Sequence, residues 1–161
     1  MNVRPNASQK RIHRFLMMKS VSTFLGNVLH RADAFLLHLT NDRYTFTGFV
    51  GLPIIQLTTI GAKTGKLRTH PLVGVMDGNK IALIASNFGH ARNPGWYFNL
   101  KAHPECAVRF NGMTETFIAR ETDGDEREKY WQLALSYYAG YEKYKARARR
   151  KIPVMVLERQ N

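Results

Sequence analysis

Cysteine and long apolar runs are nearly absent from this chain of 161 residues. The single cysteine, Cys106, excludes an internal disulfide and a metal site built from several cysteines, so the sequence predicts a reducing compartment and no bound metal. No apolar run approaches the ~20 residues of a membrane-spanning helix. Lys19 interrupts the only stretch that resembles a signal peptide. These absences predict a cytoplasmic protein.

Acidic residues are also scarce, with 12 Asp and Glu against 24 Lys and Arg, for a net charge of +12. Residues 1–50 hold seven basic and two acidic side chains, residues 51–120 hold eight and three, and residues 121–161 hold nine and seven. Such an excess predicts an anionic partner. It does not form one patch with interleaved strand aromatics, so a nucleic-acid-binding barrel is not favoured. A phosphorylated ligand or an acidic membrane surface remains.

The N-terminal part of the sequence predicts a helix. Apolar residues recur at three- and four-residue steps between positions 9 and 39, and Lys10, Arg11, Arg14 and Lys19 lie at the front of this segment. We expect residues 1–45 to form a tail and an amphipathic helix. That helix either packs across the rest of the protein and covers a pocket, or lies on the cytoplasmic face of an anionic membrane as a peripheral contact.

The remaining residues, 46–161, are predicted to form a β-rich domain. Tight turns lie at 77–79 and 111–112, short helices at 96–101 and 123–138, and a further helical turn follows Gly140. Few helices and many hairpins predict a mainly β (α+β) fold, a small antiparallel barrel with helices packed on it. About six strands are expected, at residues 54–60, 67–76, 80–86, 106–110, 115–121 and 152–157.

The loop of residues 61–68 is the first candidate site. It carries Lys63, Lys66 and Arg68 between Gly61 and Gly65, and no acidic residue occurs between positions 57 and 76. Glycines allow backbone N–H groups to converge on a phosphate, whose charge the cations neutralise. The loop is one residue short of a Walker motif and lacks its Ser or Thr, which argues against nucleotide hydrolysis. The alternative is an ordinary solvated hairpin.

Two later segments are candidates for binding a flat ligand. Ser86 closes the predicted strand 80–86 and could hydrogen-bond a polar ring, although small residues at a strand end are also ordinary turn chemistry. Tyr138, Tyr141 and Tyr144 recur every three residues, which suits either a pocket wall or a core. The six cations of residues 143–151 are expected to form a solvated face or to attract a polyanionic tail. No catalytic triad is evident, so a cofactor is expected to carry the chemistry.

Five motifs in order resemble the deazaflavin-dependent nitroreductase family, which comprises F(420)H2-dependent nitroreductases and quinone reductases with a split β-barrel, FMN-binding-like fold. The motifs are LTTIGAKTGKLRTHPL at residues 57–72, ASNFG at 85–89, NPGWYFNL at 93–100, the three tyrosines, and IPV at 152–154. The resemblance runs from about Pro53 to the end of the chain, with a looser match over the N-terminal helix.

The resemblance implies an oxidoreductase that uses coenzyme F(420), an 8-hydroxy-5-deazaflavin, to transfer hydride to a quinone, nitroaromatic or activated enone. The proton source stays open among solvent, Ser86 and a tyrosine. The family often has a basic residue where this chain has Ala62, so one contact to the coenzyme tail is missing. Alternatives are an FMN-dependent relative, or a non-catalytic lipid- or cofactor-binding barrel at the membrane. The protein is expected to be a monomer or a dimer.

The resemblance also implies roles for individual residues. Lys63, Thr64, Lys66 and Arg68 would surround the phosphate and acidic tail, Ser86 and Asn87 would lie beside the ring, and Trp96 would support the pocket. Tyr138, Tyr141 and Tyr144 would line the substrate side, and these three tyrosines and Ser86 are the implied catalytic residues. The implied coenzyme-binding residues are Gly61, Lys63, Thr64, Gly65, Lys66, Arg68, Thr69, Pro71, Ala85, Ser86, Asn87 and Trp96.

Overall fold

Seven strands and three longer helices are formed by residues 52–160, the part of the chain that the computed structural model describes. The predicted N-terminal segment 1–45, its helix and its boundary with the barrel domain lie outside these residues. In chain order the elements are β1 (Ile54–Ile60), β2 (Leu67–Val73), β3 (Val75–Asp77), β4 (Lys80–Ile84), α1 (Gly95–Ala102), β5 (Glu105–Phe110), β6 (Met113–Glu121), α2 (Gly124–Tyr137), α3 (Gly140–Ala148) and β7 (Val154–Arg159).

All strands join one antiparallel sheet in the order β2-β1-β5-β6-β7-β4-β3. The two outermost strands, β2 and β3, are consecutive in the chain and only Gly74 separates them. The sheet therefore curls until its two edges meet at this residue, which removes most of the unpaired edge. This architecture confirms the predicted barrel, mainly β with helices packed against it.

The prediction of one continuous strand over residues 67–76 is wrong, which is why seven strands form instead of about six. The strand divides at Gly74, whose N–H donates to the Pro53 carbonyl at 2.9 Å. A Cβ at this position would lie 2.9 Å from Cγ2 of Ile55 and 3.1 Å from Cγ2 of Ile81. Glycine is thus needed because the backbone passes between two core side chains while the strand changes its partner from β1 to β4.

Two hydrophobic cores lie on opposite faces of β4 and β7. Leu83 and Met155 point into the barrel, where they pack with Leu57, Trp96 and Leu100. Their chain neighbours point outward against α2 and α3. The outer core contains Ala82, Ile84, Val154, Val156, Tyr130, Trp131, Ala134 and all three predicted tyrosines. Because both faces are covered, these two strands are almost wholly apolar rather than alternating.

The helices differ from the predictions mainly in length. The predicted helix at 123–138 forms as α2 with Asp125 and Glu126 in its first turn, as the helix dipole favours. The single turn expected after Gly140 is instead the nine-residue helix α3. The predicted strand at 80–86 begins as expected and ends two residues earlier, at residue 84, and the strand predicted at 152–157 lies two residues later, at 154–159.

The strand registers bring several loops to one end of the barrel. The ends of β1, β4 and β6 lie there together with the starts of β2, β5 and β7. Helix α1 crosses this end, because Asn99 Nδ2 donates to Thr59 Oγ1 at 3.0 Å and the Tyr97 hydroxyl donates to Glu121 at 3.0 Å. We call it the α1 end. It places the loop after β1 and the turn after β4 on the same side of the molecule.

Candidate active site

The loop between β1 and β2, residues 61–68, is here called the cationic loop. Its backbone folds back on Gly61, whose carbonyl accepts hydrogen bonds from Thr64 N–H (3.1 Å) and Gly65 N–H (2.8 Å) and whose N–H donates to Lys66 O (2.9 Å). Gly65 has φ +66°, which favours glycine. A Cβ on Gly61 would lie 2.7 Å from Thr64 Oγ1. The loop therefore has a fixed, tight shape that requires both glycines.

The cations of this loop point into solvent. Lys63, Lys66 and Arg68 are all exposed, and none of their side chains makes a hydrogen bond or ion pair with another residue of the range 52–160. Elsewhere in the same range, cations such as Lys80 and Arg120 pair with carboxylates at 2.7 Å. Three cations without ion-pair partners on one tightly turned loop could hold an anion, because binding there would break no existing ion pair.

Helix α1 fixes the cationic loop to the barrel through Asn99. Its Oδ1 accepts the Ala62 N–H at 3.0 Å, while its Nδ2 binds buried Thr59. Asn99 itself is buried. The sequence showed only that this asparagine belongs to the 93–100 motif, and its bridging role depends on contacts 37 and 40 residues away.

The turn after β4, residues 85–92, is here called the Ser86 turn. Asn87, Phe88 and Gly89 have φ of 47°, 54° and 81°, three consecutive positive values of which two belong to residues other than glycine. Such conformations cost on the order of 1–3 kcal/mol each and persist only where the surroundings impose them. Ser86 is buried, and its hydroxyl makes no hydrogen bond within residues 52–160.

Two arginines at the end of α3 hold the Ser86 turn. Arg147 donates to Phe88 O at 3.2 Å, and Arg150 donates to Ala85 O at 3.1 Å and to Ser86 O at 3.3 Å. The expectation that residues 143–151 form a solvated face is wrong for these two side chains. Their charge satisfies backbone carbonyls of a turn that lies about sixty residues earlier in the chain.

Asn87 contributes to the same turn. Its Nδ2 donates to Arg92 O at 2.9 Å and so closes the turn from inside. The side chain was expected beside a ligand ring, and in the structure its amide is already used by the protein. Its exposed neighbour Phe88 packs edge-on against Tyr144, with ring centroids 6.1 Å apart.

Tyr138, Tyr141 and Tyr144 form a tyrosine cluster beside this turn. Their rings contact one another with centroids 5.6–6.2 Å apart, and all three are buried. The Tyr138 and Tyr144 hydroxyls lie 3.4 Å from each other. The Tyr141 hydroxyl, by contrast, makes no hydrogen bond with any residue of the described range. One phenol of the cluster is thus available to a ligand.

Burial sets the protonation of these phenols. Desolvation raises the pKa of Tyr141 above the ordinary value of 10.0, and the nearby Tyr138 raises it further. The same two causes raise the pKa of Tyr144. The tyrosine cluster therefore stays protonated at neutral pH, and the Tyr141 hydroxyl can donate a hydrogen bond or a proton.

Other predicted site residues lie farther from these groups. Trp96 belongs to α1, and its side chain is buried in the barrel core. The Thr69 hydroxyl faces Thr58 across the sheet at 2.8 Å, and Pro71 pairs with Gln56 two residues farther along β2. The structure thus brings the cationic loop, Ser86 and the tyrosine cluster towards the α1 end, while Thr69 and Pro71 follow β2 away from it.

Within residues 52–160, no cluster of three or more His, Cys, Asp or Glu side chains could hold a metal ion. No helix in this part of the chain is long and apolar enough to cross a membrane. Cys106 is buried, and desolvation raises the pKa of its thiol to about 12. The thiol is therefore protonated at neutral pH, and Cys106 is a residue of the barrel core.

Comparison with known proteins identifies the family. The sequence model described as F420H(2)-dependent quinone reductase matches residues 31–159. An F420H(2)-dependent quinone reductase of Mycobacterium tuberculosis is 36% identical over 110 residues, which cover 66% of this chain and 74% of the relative.

Two solved structures are similar as well. An F420-H2 dependent reductase (FDR-A) has 42% identity and a TM-score of 0.62, covering 66% of this chain and 94% of its own. A protein described as a domain-swapped dimer has 34% identity and a TM-score of 0.64, covering 86% of this chain and 96% of its own.

These matches confirm the resemblance drawn from the five ordered motifs, together with the oxidoreductase class and the split-barrel fold. Of the predicted cofactors, F(420) is the one that the family uses, and FMN is not favoured. Of the predicted acceptors, quinone is the class that the family name gives. A non-catalytic lipid carrier is likewise not favoured. The chain belongs to the F420H(2)-dependent quinone reductase family.

Proposed function

We propose that this protein reduces a quinone with reduced F(420), bound at the α1 end between the cationic loop and the Ser86 turn. The observation that carries the proposal is the placement of three unpaired cations and an unpartnered buried serine at the same end of one barrel. A ligand with an anionic tail and a flat polar ring needs both kinds of group, at two separate points.

The cationic loop suits the phosphate and acidic tail of the coenzyme. Lys63, Lys66 and Arg68 supply positive charge, and the exposed Thr64 supplies a hydroxyl close to the Lys66 N–H, at 3.4 Å. Charge-assisted hydrogen bonds of this kind contribute about 1.5–3 kcal/mol each. Ala62 offers no side-chain charge, and its N–H is already bonded to Asn99. The loop therefore binds the tail through three cations.

The Ser86 turn suits the ring. The Ser86 hydroxyl is unpartnered, and the backbone around it is held rigid by two arginines, so a polar ring edge can bind there without reorganising the protein. When bound, the reduced deazaflavin supplies a hydride from carbon 5. Trp96 supports this region from the barrel core.

The tyrosine cluster suits the quinone. Its aromatic faces pack against planar rings, and the Tyr141 hydroxyl donates to a quinone oxygen. One hydride and one proton convert a quinone to a hydroquinone, so the reaction needs a proton source beside the acceptor. Tyr141 fits that role because its hydroxyl has no partner in the described range and because burial, which raises its pKa, keeps the proton on it at neutral pH.

Titration of the purified protein with F(420) and, separately, with FMN tests the proposal. We expect F(420) to bind more tightly, and its reduced form to be oxidised when a quinone is added. Failure to bind F(420), or a clear preference for FMN, would overturn the assignment. Binding without quinone reduction would leave a coenzyme carrier and would contradict the catalytic part.

Three finer expectations stay predictions. A cytoplasmic location rests on the scarcity of cysteine and of long apolar runs in the sequence. A peripheral membrane contact rests on the basic segment near Lys10 and Lys19, outside the described residues. Co-sedimentation with anionic vesicles, compared with a variant lacking residues 1–40, tests the contact, and equal binding by both would argue against it. A similar structure is a domain-swapped dimer, so light scattering should distinguish a dimer of this chain from a monomer.

A further inference from the structure

Arg150 binds more backbone carbonyls than its position in a basic run suggests. Nη2 donates to Ala85 O at 3.1 Å, to Ser86 O at 3.3 Å and to Arg92 O at 3.3 Å, and Nε donates to His90 O at 3.1 Å. One guanidinium thus contacts the first residue of the Ser86 turn, its last residue and two residues between them.

The chain is shaped to bring Arg150 to this place. Arg149 ends α3 with φ 51° in the left-handed region, which reverses the chain direction directly before Arg150. Gly89 makes close contact with the same helix end, because a Cβ there would lie 3.0 Å from Cβ of Arg147 and 3.1 Å from Tyr144 O. The end of α3 and the Ser86 turn therefore fit against each other without a gap.

The Ser86 turn needs such support. The backbone bonds Gly89 N–H to Ser86 O and His90 N–H to Asn87 O, both 2.9 Å, close the turn, yet three consecutive residues keep positive φ. An exposed loop without further contacts would relax out of this conformation. Arg150 opposes the relaxation because a planar guanidinium fixes several carbonyls in one plane, which a lysine ammonium does not.

No carboxylate balances the charge of Arg150 within residues 52–160, where its hydrogen-bond partners are carbonyl oxygens only. Desolvation lowers the pKa of the guanidinium, although it remains fully charged. The protein thus keeps a partly buried, unpaired cation at this point. A surface arginine that only interacts with water would not need to be partly buried among carbonyl oxygens, whereas an arginine that orients the backbone of a turn does.

We propose that Arg150 is a positioning residue of the reductase, which sets the geometry of the ring site through the backbone of the Ser86 turn. This inference rests on the proposed function. Arg150 binds the Ser86 turn and not the cationic loop, so it acts on how the ring is held and not chiefly on how tightly the coenzyme binds. A displacement of about 1 Å at a reacting centre costs on the order of 10²-fold in rate.

The test compares Arg150→Lys and Arg150→Ala with the same changes at Arg149, the exposed neighbour whose side chain contacts neither a carboxylate nor the Ser86 turn within residues 52–160. For each variant, the dissociation constant of F(420) is measured by fluorescence titration, and kcat and the quinone KM by oxidation of the reduced coenzyme. We expect both Arg150 variants to lose on the order of 10²-fold in kcat, with a much smaller change in coenzyme affinity and an unchanged quinone KM.

Chemical rescue separates positioning from a general loss of structure. Methylguanidine at non-denaturing concentration should restore part of the kcat of Arg150→Ala, and should leave Arg150→Lys unchanged because its side chain fills the space. Thermal melting of each variant monitors folding. If Arg150→Ala does not fold, Arg150→Lys still decides the matter.

The outcomes distinguish this inference from the function on which it rests. If the wild-type protein does not bind F(420), the proposed function fails and the inference fails with it. If the wild type binds and turns over while Arg150→Lys matches Arg149→Lys in kcat, the inference alone is overturned. Rescue that raises only the melting temperature, with kcat unchanged, would likewise assign Arg150 to stability.

Discussion

The cationic loop and the Ser86 turn lie at the same end of the barrel, yet they are built in opposite ways. The loop leaves Lys63, Lys66 and Arg68 without partners in the described residues, while the turn has its carbonyls bound by Arg147 and Arg150. Exposed cations without ion-pair partners can attract an anion. Backbone carbonyls that are hydrogen-bonded to arginine side chains hold the turn in one conformation. We infer that the first region chiefly sets how tightly a coenzyme binds and the second chiefly sets how well it reacts.

The largest expected effect is a loss of coenzyme affinity without a loss of turnover when two cations of the cationic loop are replaced. Replacing Lys63 and Arg68 together, as Lys63→Gln/Arg68→Gln, removes two charge-assisted contacts of about 1.5–3 kcal/mol each. We expect the dissociation constant of F(420) to rise on the order of 10²- to 10⁴-fold, with kcat retained at saturating coenzyme. Fluorescence titration and steady-state kinetics measure the two quantities.

A matched control removes the same charge elsewhere. Lys143 and Arg149 are exposed and lie on the α3 side of the molecule, so Lys143→Gln/Arg149→Gln also lowers the net charge by two. This variant should bind the coenzyme nearly as well as the wild type. If both double variants lose coenzyme affinity equally, the net positive charge of the protein explains the affinity, and not the cationic loop. If neither variant loses affinity, the phosphate of the coenzyme binds elsewhere.

The next effect concerns turnover in the tyrosine cluster. Tyr141→Phe removes the one cluster hydroxyl without a partner in the described range, and general acid catalysis contributes about 10²–10⁴-fold. We expect kcat to fall at least on the order of 10²-fold, with an unchanged dissociation constant for F(420). Tyr137→Phe, at a buried tyrosine that reaches Met76 O instead, is the control and should retain activity.

The pH profile of the wild type sharpens the same prediction. Because burial raises the pKa of Tyr141 above 10.0, its proton is present at every pH below that value and is lost only as the pH rises through the higher pKa of the folded protein. Turnover should therefore show no loss attributable to this group up to about pH 10. A basic limb near pH 7 that disappears in Tyr141→Phe would contradict the raised pKa.

The sequence indicates the cationic loop as a candidate site but does not indicate the contacts that hold the Ser86 turn, because those contacts join residues far apart in the chain. Two glycines, two lysines, an arginine and the absence of acidic residues mark the loop of residues 61–68 within a short stretch of sequence. Arg150 acts on carbonyls 58–65 residues earlier, and backbone carbonyls leave no trace in a sequence. A run of basic residues therefore has the same sequence pattern whether its side chains are solvated or bind backbone carbonyls of another segment.

The broken strand at Gly74 illustrates the same limit for the fold. Residues 67–76 have the composition of one strand, and nothing local requires an interruption. The break follows from Ile55 and Ile81, which reach the glycine only after the sheet has curled. Family motifs gave the barrel as a whole, while the exact number of strands depends on this tertiary contact.

A smaller effect is expected from a substitution that overpacks the tyrosine cluster and removes none of its side chains. A Cβ at Gly140 would overlap the ring of Tyr138, so Gly140→Ala must displace that ring from its contacts with Tyr141 and Tyr144. Overpacking of this kind costs about 1–3 kcal/mol. We expect a lower free energy of unfolding in a urea titration, with reduced kcat and near-normal coenzyme affinity.

Gly95→Ala is the matched control for Gly140→Ala. Gly95 begins α1, and no atom lies within 4 Å of a Cβ built on it. The alanine should therefore leave stability unchanged or raise it slightly, because alanine is the better helix former. If Gly140→Ala is equally neutral in stability and in kcat, the cluster tolerates rearrangement and its geometry does not matter for turnover.

The smallest effect separates the two regions by their response to salt. Exposed charges are screened once their separation exceeds the Debye length, which falls from about 30 Å at 0.01 M to about 8 Å at 0.15 M ionic strength. Coenzyme affinity of the wild type should therefore weaken a few-fold over this range, because salt screens the long-range attraction while the direct hydrogen bonds to the bound anion remain. Lys63→Gln/Arg68→Gln should lose most of this salt dependence. Arg150→Lys should keep the wild-type slope while its kcat stays low at every salt concentration, because rigid backbone geometry is not screened. Equal slopes in all three proteins would mean that the cationic loop does not supply the affinity, and the division between the two regions would then be wrong.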